Sequence, residues 1–243
     1  METLAMHISN GIVDGPVAAA YALFALVVLT FCVLRARRDL DDRLAPMAGL
    51  VAAFIFAVQM LNFPIVTGAV SGHLLGGALA ALLVGPWVGA LCVAVVLVVQ
   101  SLVFGDGGVA MLGLNISNMA VLGTAVGYLL IALLLRVLPR TNRGLAVTAF
   151  VASVVSVSAA AQGFVLQYWL GGTTDLSGGV AGLSGTMAVV HLLIGVGEGL
   201  ITATTVVTVA KVRPDLVYAL RRLRPATTAG PLTAPAPVTG GAR

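Results

Sequence analysis

Long apolar runs divide this chain into seven predicted helices separated by short polar or glycine-rich breaks. A helix that crosses a bilayer needs about 20 predominantly apolar residues, within a range of about 17–25. Pro64 ends the second run, and Gly85 and Pro86 separate a short third run from the fourth. We therefore predict an all-α membrane protein with about seven transmembrane helices, at roughly residues 16–34, 46–61, 73–84, 86–104, 115–138, 144–170 and 187–212.

The composition also indicates that lipid surrounds most of the chain. Hydrophobic residues make up 59% of the sequence and charged residues only 9%, whereas soluble domains carry about 25% charged residues. So few charges cannot coat a surface that faces water. The basic residues behind the net charge of +4 therefore indicate the orientation of the chain in the membrane. No motif and no basic cluster interleaved with aromatic residues indicates a nucleic-acid partner.

The Lys and Arg residues predict the orientation. They cluster after the first, fifth and seventh runs and are absent from the loops after the second, fourth and sixth. Because positively charged loops stay in the cytoplasm, the amino terminus should lie outside and the carboxyl terminus in the cytoplasm. The clusters are Arg35, Arg37, Arg38 and Arg43; Arg136, Arg140 and Arg143; and Lys211, Arg213, Arg221, Arg222 and Arg224.

This topology places candidate metal-binding residues at the outer face. His7 lies in the amino-terminal segment, His73 opens the third helix in glycine-rich surroundings, and Asp106 lies in the FGDGG loop. Polar groups at membrane depth are costly, so they mark functional sites. Because imidazole nitrogen binds nickel, cobalt, copper and zinc, the pattern favours an outer site for a divalent metal ion.

Three further polar residues have roles that the sequence leaves open. Asn115 in LNISNM is typical of a helix start as well as of a contact to a metal ligand, and the same holds for Asp106. His191 fits either helix packing or a hydrogen bond to a ligand. Glu198 follows about two helical turns later, and its open roles are a pair with His191, a proton relay and a contact to a partner subunit.

The chain resembles a known family, the cobalt/nickel substrate-binding membrane component of energy-coupling-factor transporters (the CbiM/NikM family). The resemblance rests on four motifs, NFPIVTGAVSGHLLGGALAALLVGPW, QSLVFGDGG, LNISNM and HLLIGVGEGLIT, and extends from Met6 to about Pro214. It implies capture of extracellular cobalt(II) or nickel(II) at the cell membrane. The residues do not distinguish the two metals.

The resemblance also implies a ligand set. In that family the metal is held by the terminal amine, the backbone nitrogen and imidazole of the second residue, and one more histidine, which correspond here to Met6, His7 and His73. The first three nitrogens close two fused chelate rings, and the fourth completes a planar square, which suits nickel(II) or copper(II). The chain departs from the pattern at Asn10, where an acidic residue is common, and in the five residues that precede Met6.

Those five residues shape the expected domain organisation. An amine on Met1 is too far from His7 to close the same rings, so we expect translation to start at Met6 or residues 1–5 to be removed. Residues 6–214 should form the transmembrane metal-binding domain. Residues 215–243 should form a disordered cytoplasmic tail, because residues 225–243 are rich in Pro, Thr, Ala and Gly.

The chain carries no motif that would energise transport. Its single lysine is Lys211, and no glycine-rich run ends in Lys-Ser or Lys-Thr, so it has no nucleotide-binding P-loop. We predict a transporter subunit, not an enzyme. The resemblance implies three kinds of partner: a transmembrane coupling component, cytoplasmic ATPase subunits and a small accessory membrane subunit like CbiN or NikN.

Other functions fit single features of the sequence. An ion-coupled or passive metal carrier would use several midplane carboxylates, and only Glu198 qualifies. The GLSG motif around Ser184 matches an intramembrane serine protease, but His191 follows in the same helix and not in a later one. A vitamin-binding component would want an aromatic pocket, and aromatic residues are only 6% of the chain.

Overall fold

The computed structural model describes residues 7–39, 44–60, 63–66, 70–139, 141–175 and 178–223, and it is nearly all-helical. The α-helices within these ranges are α1 (Gly15–Asp39), α2 (Leu44–Gln59), α3 (Gly77–Val84), α4 (Pro86–Val99), α5 (Leu112–Asn115), α6 (Thr124–Val137), α7 (Asn142–Gly171), α8 (Gly179–Val212) and α9 (Tyr218–Leu223). Short 3₁₀ or π segments lie at Gln100–Phe104, Val109–Met111, Ile116–Gly123 and Pro214–Leu216.

The helices are those of a multi-pass membrane protein, as predicted. Each of the seven predicted runs contains a helix, and five helices are long and apolar enough to cross a membrane. The remaining two runs give shorter helices, with 16 residues in α2 and 8 in α3. The five long helices are Gly15–Arg38, Pro86–Phe104, Val109–Val137, Asn142–Gly171 and Gly179–Val212.

The third predicted run differs most from the expected spanning helix. Residues 73–76 are not helical, and α3 begins only at Gly77. Eight residues rise about 12 Å, far less than a hydrocarbon core of about 30 Å. Every residue of α3 is buried, and α4, α6 and α7 pack around it. Irregular backbone beside a short helix is tolerated at membrane depth when protein surrounds it.

A two-stranded antiparallel hairpin, which the sequence analysis did not predict, separates α2 from α3. Strand β1 (Phe63–Val66) pairs with β2 (Val70–Gly72), with an irregular register between Pro64 and Val66. Proline cannot continue a helix, and β-branched residues favour extended backbone. The hairpin leads directly into the segment that carries His73.

Helices α7 and α8 form the most extensive helix pair, because glycines on α8 allow close approach. A Cβ atom added to Gly195 would lie 2.9 Å from Cα of Val154, and one added to Gly199 would lie 2.7 Å from the ring of Phe150. The two glycines are one helical turn apart and fix the α8 face that carries Glu198.

Backbone hydrogen bonds tie the amino-terminal segment to the end of α7. The amide of Asp14 donates to the carbonyl of Gly171 at 2.7 Å, and the amide of Thr173 donates to the carbonyl of Ile12 at 3.1 Å. The Asp14 side chain accepts from the amide of Val17 at 2.9 Å and so caps the start of α1. These contacts hold the residues before α1, including His7, against the helix bundle.

The described carboxyl-terminal residues differ from the expected tail. Residues 215–223 were expected to be disordered, but they form the end of a 3₁₀ turn and α9. Val217, Tyr218 and Ala219 are buried, and the Tyr218 ring packs so close to Gly85 that an added Cβ there would lie 2.7 Å away. These apolar contacts stabilise the folded segment. Residues 1–6 and 224–243 lie outside the described residues.

Candidate metal site

The structure brings His7 and His73 together in one buried place. The centroids of the two imidazole rings are 4.8 Å apart, and the ring planes are tilted by 44°. His7 is only 7% exposed and His73 only 8%. The amino-terminal segment and the residues before α3 therefore meet at the pair of histidines that the sequence analysis singled out.

Asp106 joins this pair through a turn that requires glycine. Nδ1 of His7 lies 3.2 Å from Oδ1 of Asp106, close enough for electrostatic attraction. Gly105 and Gly107 flank the carboxylate with φ angles of 67° and 84°, which favour glycine. A Cβ atom on Gly107 would lie 2.7 Å from Cβ of His7. The FGDGG motif thus allows the backbone to approach the histidine closely.

Neutral hydrogen bonds hold residues 7–10, which we call the His7 arm. The amide of Ile8 donates to Oδ1 of Asn115 at 3.1 Å, and the carbonyl of Ile8 accepts from the amide of Gly108 at 2.9 Å. Oδ1 of Asn10 accepts from the amide of Ala110 at 3.2 Å. Asn115 therefore contacts the backbone beside His7, and Asn10 binds the same loop.

Residues 73–76, which we call the His73 arm, are held by different groups. Oε2 of Glu198 accepts from the amide of Leu75 at 2.6 Å, and Oε1 accepts from the amide of Gly76 at 3.2 Å. Nε2 of Gln59 donates to the carbonyl of Leu75 at 2.8 Å. The open roles for Glu198 did not include this contact with the backbone of the His73 arm.

His191 and Ser184 form hydrogen-bond contacts with residues outside the candidate site. Nδ1 of His191 lies 3.0 Å from the carbonyl oxygen of Met187, one turn earlier in α8, whereas Glu198 accepts from the amides of Leu75 and Gly76. The Ser184 hydroxyl donates to Oε1 of Gln162 at 2.8 Å. The serine of the GLSG motif is therefore bound to an amide side chain and not to an imidazole.

Gln59 is the site residue that the sequence analysis missed. It is fully buried at the end of α2, with an exposure of 0%. A lone polar side chain in an otherwise apolar helix is a signal in its own right, because polar groups at membrane depth are functional by default. Gln59 is neither a histidine nor a carboxylate, so its residue type alone does not mark it as a metal ligand.

The geometry suits a cation bound mainly by nitrogen. Nε2 of His7 is buried and has no hydrogen-bond partner among the described residues, which is costly unless a ligand fills the position. Within the described ranges, no three His, Cys, Asp or Glu side chains converge to hold a metal. The sequence analysis expects two further nitrogen ligands, the backbone nitrogen of His7 and the amine of Met6, and Met6 lies outside those ranges.

Comparison with known proteins identifies the family. Residues 7–216 match the family described as CbiM, cobalt uptake substrate-specific transmembrane region. The chain belongs to the CbiM family. The matched region begins at His7 and contains His73, Asp106, Asn115 and Glu198, so every described contact of the candidate site falls inside it.

Relatives from several organisms share this CbiM region. The chain is 40% identical to a putative fused nickel transport protein NikMN of Archaeoglobus fulgidus, over 87% of this chain and 68% of that protein. It is 38% identical to a putative metal transport protein of Haloquadratum walsbyi, over 88% and 94% respectively. The cobalt transport protein CbiM of Sorangium cellulosum is 30% identical, over 90% and 97%.

Solved structures have the same fold. A crystal structure of a transition metal transporter superposes with a TM-score of 0.74 at 28% identity, covering 85% of this chain and 93% of that one. A truncated transition metal transporter gives a TM-score of 0.73 at 28% identity, covering 85% and 99%. The chain is thus a cobalt/nickel transport protein of the CbiM family with the fold of a metal transporter.

Proposed function

We propose that this chain is the substrate-capture subunit of an ATP-driven energy-coupling-factor importer and that it holds nickel(II) or cobalt(II) between the His7 and His73 arms. The observation that carries the proposal is the buried pair of imidazoles, with ring centroids 4.8 Å apart and Nε2 of His7 lacking a hydrogen-bond partner among the described residues. A divalent cation would turn that orphaned polar group into a ligand.

The proposed ligands are the amine of Met6, the amide nitrogen and imidazole of His7, and the imidazole of His73. Three of these nitrogens follow one another along the chain and chelate without a large entropy of loop closure. Asp106, 3.2 Å from the His7 ring, adds a negative charge beside the cation. Nitrogen ligands in a square favour nickel(II), and the same set accepts cobalt(II).

The outer face is the proposed point of capture. Helix α1 begins near His7 and ends with Arg37 and Arg38 in its last turn. The continuous helix from Val109 begins just after Asp106 and ends at Val137, with Arg136 in its last turn. The basic residues thus lie at the helix ends opposite the site. Because basic ends stay in the cytoplasm, the site faces outward.

The proposed partners supply the energy for transport. Without a P-loop the chain has no means of ATP hydrolysis by that route, so we assign it no enzymatic role. A transmembrane coupling component and cytoplasmic ATPase subunits would provide that energy. Relatives named fused nickel transport protein NikMN support a NikN-like or CbiN-like small subunit as a further partner.

Uptake of radioactive nickel and cobalt by cells that lack their own uptake systems tests this function. We expect uptake with the co-expressed partners, and we expect His7→Ala and His73→Ala each to abolish it. His191→Ala is the matched control, because that imidazole bonds within its own helix, and it should retain uptake. Undiminished uptake by the double variant His7→Ala/His73→Ala would refute the site. Full uptake without ATPase subunits would instead indicate an ion-coupled or passive carrier.

A further inference from the structure

Glu198 is a buried carboxylate whose partners are backbone amides. It is 2% exposed within α8, and its oxygens accept from the amides of Leu75 and Gly76. None of the ion pairs among the described residues involves it. A buried polar group without partners is unfavourable, so the two hydrogen bonds from backbone amides explain how the side chain is accommodated.

The two amides that donate to Glu198 lie next to each other at the turn that precedes α3. The φ of Gly76, at 81°, is in the left-handed region, and successive amides in such a turn point at one anion. The position also has no room for a side chain, since an added Cβ would lie 2.9 Å from the Ile55 side chain. The sequence HLLGG therefore shapes the end of the His73 arm to receive a carboxylate.

Gln59 bonds to the carbonyl group of Leu75, whereas Glu198 bonds to the amide group of the same residue. The side-chain amide of Gln59 donates to the carbonyl of Leu75 at 2.8 Å, while Glu198 accepts from the amide of Leu75 at 2.6 Å. Side chains from α2 and α8 thus bind both polar groups of Leu75, two residues after His73. The arm has no helix or sheet partner there, so these side chains replace the missing secondary structure.

The α8 side of this arrangement is itself fixed by packing. Gly195 and Gly199, one turn apart on either side of Glu198, lie against Val154 and Phe150 of α7 with no room for a Cβ. A helix packed this closely does not shift by much without overlap of atoms. The packing of α7 against α8 therefore fixes the position of the Glu198 carboxylate. The carboxylate in turn fixes the backbone of the His73 arm through its two hydrogen bonds.

We propose that Glu198 and Gln59 are positioning residues that hold the His73 arm in place for metal binding, although neither contacts the metal. This inference rests on the proposed function, since it assumes that His73 is a ligand. Groups that orient a ligand commonly change metal affinity by about 10–100-fold when they are replaced. The affinity of the chain for nickel should therefore depend on two side chains outside the ligand set.

Equilibrium binding of nickel to the purified full chain, by competition with a chelator, tests the proposal. Glu198→Gln keeps the shape but turns one oxygen into an NH₂ group that faces an amide N–H. Gln59→Met keeps the length but removes the donor. We expect Glu198→Gln to bind nickel about 10–100-fold more weakly, with a shifted ligand-field absorption of the bound nickel. Gln59→Met should change in the same direction by a smaller factor.

Thr204→Ala is the matched control for α8. Thr204 is exposed and bonds only to the carbonyl of Leu200 in its own helix, so its replacement should leave nickel affinity and absorption unchanged. The double variant Glu198→Gln/Gln59→Met should lose less than the sum of the single effects on binding free energy, because both changes release the same arm.

The outcomes separate this inference from the proposed function. Wild-type nickel affinity and absorption in Glu198→Gln and Gln59→Met, with wild-type protein that binds nickel, would overturn the positioning role and leave the function standing. Wild-type protein that binds neither nickel nor cobalt would overturn both. If Glu198→Gln does not fold, Gln59→Met, which leaves the carboxylate in place, decides the matter. An equal loss of affinity in Thr204→Ala would also contradict the proposal.

Discussion

The His7 arm and the His73 arm meet at one site but are held by different chemistry. Neutral groups of residues 108–115 bind the backbone and the Asn10 side chain of the His7 arm, and the Asp106 carboxylate lies beside its imidazole. A buried carboxylate and a buried amide from two separate helices bind the backbone of the His73 arm. A typical neutral hydrogen bond contributes about 0.5–1.5 kcal/mol, and one to a charged group about 1.5–3 kcal/mol. The backbone of the His73 arm is therefore held more firmly than the backbone of the His7 arm.

This difference between the two arms leads to a hypothesis for how the metal ion enters the site. A firm arm provides a preorganised ligand and lowers the entropy lost on binding. We expect the His7 arm, whose backbone contacts are neutral and more exposed, to adjust when the metal binds. On this account replacements around the His73 arm affect the fold as well as the site, and replacements around the His7 arm affect mainly metal affinity.

The largest expected effect is on stability. Glu198→Ala removes both acceptors and leaves the amides of Leu75 and Gly76 without partners in a buried position. At about 1–3 kcal/mol for each orphaned group, the free energy of unfolding should fall by about 2–6 kcal/mol. Reversible unfolding in detergent measures it, with Thr204→Ala as the control. A loss below about 0.5 kcal/mol, the range of ordinary surface changes, would contradict the firm-arm account.

The next effect concerns the amine of Met6, the residue before the His7 arm. A chain that begins at Met6 should bind nickel at least about 100-fold more tightly than a chain that retains residues 1–5 or one that carries an acetylated Met6. The reason is that the longer and the acetylated chains lose one ligand and its chelate ring, and each tenfold loss of affinity corresponds to about 1.4 kcal/mol. Nickel titration of the three forms, with the amino terminus verified by intact mass, measures the ratios. Equal affinities would remove the amine from the ligand set.

Gly107 offers a smaller test of the contact between the FGDGG loop and His7. Gly107→Ala and Gly11→Ala both place a side chain on left-handed backbone, at φ angles of 84° and 83°. Only at Gly107 does the new Cβ meet His7, at 2.7 Å, whereas nothing lies within 4 Å at Gly11. The shared strain of about 1–2 kcal/mol cancels, so Gly107→Ala should bind nickel about tenfold more weakly than Gly11→Ala. Equal affinities would mean that the loop does not shape the site.

The smallest expected effect comes from Asn115. Asn115→Leu keeps the side-chain shape but removes the acceptor for the amide of Ile8. A neutral hydrogen bond of about 1 kcal/mol corresponds to about fivefold weaker nickel binding, and the free energy of unfolding should fall by about 1 kcal/mol. Ser158→Ala, which removes a hydroxyl bonded within α7, is the control. If Asn115→Leu destabilised the fold as strongly as Glu198→Ala, the two arms would not differ.

The helical segments and the candidate ligands could be predicted from the sequence, because apolar runs and isolated polar residues are local signals. His7 and His73 could be placed on one face from the charge pattern alone, and the structure brings them into ring contact. Their partners were less accessible to sequence reasoning. Glu198 was assigned three open roles, and the contact it makes, with backbone amides of the His73 arm, was not among them.

The remaining differences have the same physical origin. Backbone groups have no signature in the sequence, so neither the Glu198 contact nor the matching role of Gln59 could be predicted from residue types. The short buried α3 and the hairpin before it depend on the helices that surround them. The fold of residues 215–223 depends on the contact of Tyr218 with Gly85, which composition does not reveal.

The most direct test of the central claim is the nickel content of purified protein after equilibrium dialysis. The account predicts one nickel ion per wild-type chain and none in either His7→Ala or His73→Ala, because the two imidazoles share a single cation. A full equivalent of nickel in either single variant would contradict a site shared by the two arms.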